Sequence, residues 1–78
     1  MSKRQFKKAL TKSFTDFLLT VSDIEARYPG RRPPLYLIDI ASNKKKAVLA
    51  ILISYGLDNE TAENFLLNML LTALRQAA

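Results

Sequence analysis

Nine consecutive residues, Ala47–Tyr55 (AVLAILISY), carry a single strongly polar side chain, Ser54, so a regular element built from them has no face suited to water. Such a segment has to lie in the middle of whatever the chain folds into. Gly56 ends the run and Asp58 opens a further segment, so the centre of the chain reads as helix, tight turn, helix. The expectation is an all-α fold: a small bundle of three long helices and one short helix in a single domain over residues 1–78, with the central helix buried.

At 78 residues the chain is near the lower size at which one core supports folding without disulfides or metal. It contains neither cysteine nor histidine. The best ligands for zinc, copper and iron are therefore missing, as are the usual pairings of nucleophile and base, and we expect no metal, no cofactor and no enzymatic activity. The absence of cysteine fits a reducing compartment, and the expected location is cytoplasmic. Hydrophobic residues make up 49% of the chain, too many for disorder. No apolar run reaches the ~20 residues of a membrane span, so none is expected.

The net charge of +5 favours an anionic partner: DNA or RNA first, then an acidic protein or a membrane surface. A plain solubility role is the competing reading. Residues 1–15 carry +5 with no acid, 16–30 carry −2, 31–46 carry +4 and 47–78 carry −2. The positive charge thus lies in two blocks, which form one patch if the fold joins them and two solvated ends if it does not.

Taken in order, the chain first shows Phe6, Leu10, Phe14, Phe17, Val21, Ile24 and Tyr28 at spacings of 4, 4, 3, 4, 3 and 4. At 100° per residue these fall within an arc of about 80°, which predicts a helix over about 3–28. Its back carries Arg4, Lys8, Lys12, Asp16 and Asp23, with Asp23 and Arg27 at the favourable i, i+4 spacing. The plain reading of that back is a solvated face; the functional one is phosphate contact by Arg4, Lys7, Lys8 and Lys12. The first fifteen residues also suit a mitochondrial presequence or a surface-seeking membrane helix, but the apolar seam runs on unbroken through 16–28, as expected of part of the fold.

Pro29-Gly30-Arg31-Arg32-Pro33-Pro34 ends that helix in an exposed loop over 29–34. Arg31 and Arg32 have no acidic neighbour in it and are either solvated or available to an anion. Residues 35–41 read as a short helix, or as a strand with Tyr36, Ile38 and Ile40 on one face; no other segment reads as a strand partner, so helix is preferred. Ala41-Ser42-Asn43 is expected to break the chain, with Ser42 or Asn43 capping a helix over about 43–55. Lys44, Lys45 and Lys46 would then occupy its first turn, against the macrodipole, where exposed amines beside backbone N–H groups could hold an anion.

The last helix is predicted over about 58–76, capped by Asp58. Its apolar positions are unusually many. Ala62, Phe65, Leu66, Met69, Leu70 and Ala73 form one face, with Leu67, Leu71 and Leu74 beside it, together covering about 240°. One neighbouring helix cannot cover that.

Two resemblances to DNA-binding families attach to these segments. Ile51 to Phe65, with Gly56-Leu57 and Thr61, has the outline of a helix-turn-helix, though Leu52 stands where a small residue is usual. Its second helix would present Asn59, Glu60, Glu63 and Asn64, and the two carboxylates face phosphate unfavourably. The order Tyr36-Leu37-Ile38-Asp39-Ile40, helix, Gly56-Leu57, helix also looks like the ribbon-helix-helix repressors, a likeness that implies a dimer reading DNA with a paired strand. It departs at Leu37 and Asp39, where basic or amide side chains would point at DNA, and at Lys44 and Lys45, where apolar residues belong.

A chain of this size buries only about 60–65% of its unfolded surface as a monomer, and the apolar stripes here demand more. A homodimer is therefore expected, with Phe65, Leu67, Met69, Leu71 and Leu74 as candidate interface residues. Two functions are weighed. One is a small basic nucleic-acid-binding or regulatory protein touching phosphates through Arg4, Lys7, Lys8, Lys12, Arg31, Arg32, Lys44, Lys45 and Lys46. The other is a protein-interaction adaptor or inhibitor docking through its leucine-rich C-terminal helix.

Overall fold

In the computed structural model, which describes residues 2–77, the first helix begins from a capping box. The Gln5 backbone N–H donates to Ser2 Oγ at 3.2 Å, and the Ser2 N–H donates to Gln5 Oε1 at 3.0 Å, so two donors orphaned by the helix start are satisfied reciprocally. From there α1 (Lys3–Arg27) runs without interruption to Tyr28. The Asp23–Arg27 ion pair expected from their spacing forms at 3.3 Å.

The loop turns at Gly30, whose φ of 67° lies in the left-handed region. Pro34 then caps α2 (Leu35–Ser54), which is one continuous helix of 20 residues. Two expectations are corrected here. The short helix over 35–41 and the central helix are the same element, and the alternative strand over 35–40 does not form, so the described residues make three helices rather than four. Ser42 and Asn43 are exposed inside α2 and cap nothing. Each costs only about 0.5 kcal/mol relative to alanine in a helix interior, and continuous packing of Leu37, Ala41, Val48 and Leu52 along one side outweighs that.

The end of α2 is held by both hydrogen bonds of a Schellman motif. The Gly56 N–H donates to the Ile53 carbonyl at 3.0 Å and the Leu57 N–H to the Leu52 carbonyl at 3.3 Å, with Gly56 at φ 109°. Leu57 packs on the core beside them. Asp58 caps α3 (Asn59–Ala77) as expected, accepting from the Thr61 N–H at 2.8 Å. Thr61, through its side chain first and its backbone N–H second, holds the Asp58 carboxyl below its ordinary value of 3.8.

α2 packs against both α1 and α3, and Phe6 near the start of α1 stacks on Tyr55 at the end of α2 with ring centroids 3.9 Å apart, so these two helices run antiparallel. The core is small: Leu10 and Phe17 from α1, Val48 and Leu52 from α2, Ala62 and Leu66 from α3. The apolar run is only half enclosed, which corrects the expectation of a buried central helix. Val48 and Leu52 are fully buried, but Ala47, Ala50, Ile53 and Tyr55 of the same run reach solvent. Two neighbouring helices cannot surround a third.

The shape records this openness. The radius of gyration is 13.3 Å, against about 11.5 Å for a compact chain of this length. The accessible surface is 5946 Å², against about 4,800 Å² for a folded monomer of this mass.

Candidate functional site

The sequence brings Arg4, Lys8 and Lys12 onto one line of α1 by i, i+4 spacing, and Lys7 stands beside them with Thr11 and Thr15. All four cations are exposed, and none makes an ion pair among the described residues. Arg4 to Lys12 spans about 12 Å of helix. Lys3, which the sequence reading did not single out, joins them at the first position of the helix, and no acid stands in that turn. The signal that finds it is Ser2-Lys3-Arg4-Gln5: the capping box fixes the helix start, and two cations follow in a turn whose dipole favours anions.

Of the second basic block only Lys44 comes near this strip, reaching Asp16, one turn past Lys12 on the same line of α1. Arg31 and Arg32 lie past the far end of α1, about 22 Å of helix beyond Lys12, and Arg31 lies 6.0 Å over the Tyr28 ring. Lys44 and Lys45 sit in the middle of α2 rather than in a first turn, so neither the opposed macrodipole nor the N-terminal anion site expected for them exists. They point to opposite neighbours. Lys44 Nζ meets Asp16 of α1 at 2.7 Å, and Lys45 Nζ meets Glu63 of α3 at 3.2 Å. Both are half-exposed, with stems along the packed side of α2 where an apolar residue would otherwise lie. Lys46 is turned to the exposed side of the same helix. Of the nine cations named from sequence, four therefore form one strip, Lys44 is held by Asp16 at its end, and the other four lie elsewhere.

The strand on which the likeness to ribbon-helix-helix repressors depends has no counterpart, since residues 36–40 belong to α2. The turn suggestive of a helix-turn-helix is present between α2 and α3, but Leu52 is a fully buried core residue and Glu63 is engaged by Lys45.

The apolar candidates divide between two sides of α3. Leu67, Leu71 and Leu74 lie within about 60° of one another and remain 53%, 43% and 64% exposed. Leu74 and Leu70 continue into a groove of about 630 Å³ against Leu18, Val21 and Ala26 of α1. Phe65 and Met69 face the other way, lining a groove of about 390 Å³ with Phe14. A single flat contact cannot use both sets.

Among the described residues no polar or charged side chain is buried, and no group of three acids stands close enough to hold a metal ion. No described helix is long and apolar enough to cross a membrane. What the surface offers is a line of exposed cations on one helix and a line of exposed leucines on another. No protein-family model, curated protein or solved structure matches this chain.

Proposed function

We propose that this protein is a small helical binding or regulatory protein of the cytoplasm that works by contact rather than by chemistry, its basic strip on α1 engaging the phosphate backbone of DNA or RNA. The observation that carries the reading is the strip itself: Arg4, Lys7, Lys8 and Lys12 exposed along one helix, without an acid in the first fifteen residues. Its length covers about three to four phosphate steps along the axis of one strand, so several cations meet one backbone at once. Lys44 and Lys45 contribute less in this reading, their charges being paired with Asp16 and Glu63.

The test is the salt dependence of binding to a short duplex and to a single strand, followed by fluorescence anisotropy. Replacing Arg4, Lys8 and Lys12 together by alanine keeps helix propensity and should lower the slope of log K against log salt by about 2 to 3. Replacing Lys44 and Lys45 should lower it by less than about 1. Absence of binding to either nucleic acid at about 50 mM salt ends this reading. A second reading, an adaptor or inhibitor that docks a different protein, is favoured by the exposed Leu67, Leu71 and Leu74.

A further inference from the structure

The leucine side of α3 has a feature beyond its exposure. From Asn64 to Leu74 the helix carries no charge at all, whereas Glu60 and Glu63 stand at one end of this stretch and Arg75 at the other. An uncharged centre with charged ends is the layout of an interface core and its rim. Glu60 and Arg75 give the two ends opposite sign, Glu63 being already paired with Lys45 of its own chain, so the stripe is complementary to a copy of itself laid antiparallel, and repels a copy laid parallel.

The area agrees. The chain as a whole exposes about 1,200 Å² more than a folded monomer of its mass should, part of it at Leu19, Leu35 and Tyr36 away from α3, and a stable interface needs about 800 Å² per partner. We infer that the occupant of this face is a second copy of the chain, paired about a two-fold axis beside Leu71, with Leu67 of each copy against Leu74 of the other. In that register Arg75 of each copy lies about one helical turn along from the other's Glu63, which Lys45 of its own chain also holds. The groove beside Leu18, Val21 and Leu70 widens the contact beyond two crossed helices. Phe65 and Met69 stay outside it, and so does the basic strip of α1. Covering the leucines with a like chain leaves none for a different protein, so this inference competes with the adaptor reading and is independent of the nucleic-acid one.

The experiment uses the full chain, whose 8.8 kDa mass and lack of cysteine make it convenient. Light scattering between micromolar and millimolar concentration should give twice the mass of one chain. Leu71→Glu should weaken association by about 30-fold or more while leaving the helical circular dichroism intact. Should that variant lose its helices, single cysteines decide instead. Leu71→Cys should cross-link to itself on mild oxidation. Leu67→Cys and Leu74→Cys should cross-link to each other when mixed, and poorly alone, since like positions then lie about 10 Å apart along the axis. A mass of one chain at all concentrations, a mass that grows without limit, or equal self-cross-linking at all three positions each overturns the proposal.

Discussion

Leu52 offers the sharpest test of the core, because it is the largest side chain with no exposure at all and it lies where all three helices meet. Leu52→Ala removes three carbon groups, worth about 2.4 kcal/mol at about 0.8 each. A cavity term adds to that, bringing buried leucine-to-alanine changes to about 2.7–5 kcal/mol in well-packed hosts. Here the grooves on both sides of α3 leave room for neighbours to move in, so the low end, about 3 kcal/mol, is expected. A domain of this size has as little as about 4 kcal/mol in total. The variant should therefore be close to unfolding at room temperature. With a slope of about 1 kcal/mol per molar urea, the midpoint should fall by about 3 M. The assay is urea denaturation followed by circular dichroism at one fixed protein concentration, since self-association would make stability concentration-dependent. Leu35→Ala is the control: Leu35 is 69% exposed and its loss should stay within about 0.5 kcal/mol. If Leu52→Ala cost no more than Leu35→Ala, Leu52 would not be the meeting point of the three helices.

The remaining predictions concern the two connections between helices. By the same urea denaturation, Gly56→Ala should destabilise by about 1 kcal/mol or more, although an added Cβ meets nothing within 4 Å, because the penalty is torsional at φ 109°; Gly30→Asn, at φ 67°, should be close to neutral. Asp58 has a depressed pKa in the folded state, so its contribution is present above its ordinary value of 3.8 and is lost as the pH falls through the lower folded value. Asp58→Asn keeps a capping side chain that does not titrate; the stability difference between wild type and variant should therefore shrink below that pH, and a difference constant down to pH 2 would refute the assignment.

Several parts of the fold were legible without coordinates because their causes are local. The α1 stripe from Phe6 to Tyr28 depends only on spacing, and the α2–α3 turn only on a glycine at the helix end and an aspartate three residues before Thr61. The break expected at Ala41–Asn43 failed for an instructive reason. Ser42 and Asn43 prefer caps, but the preference is small, and Leu37, Ala41, Lys45, Val48 and Leu52 keep one helical register straight through them. Lysine at position 45 interrupts the apolar pattern of that register, although its stem fills a place in the stripe.

The candidate site was legible in its first half. The cations of α1 need no partner to be recognised as a strip, because a single helix places them together. The second basic block was not legible, because its fate rests on Asp16 and Glu63, which approach Lys44 and Lys45 only when α1 and α3 pack on either side of α2.

By itself, then, the order of residues determined that the chain is helical, where α1 and α3 run, and that it carries more apolar surface than three helices can hide, since periodicity, capping and composition act within a few residues or over the whole chain regardless of arrangement. Tertiary packing alone decided that residues 35–54 form one helix, which lysines are engaged, and which leucines are left outside, because those outcomes depend on which helix faces meet, and segments distant in sequence set that jointly.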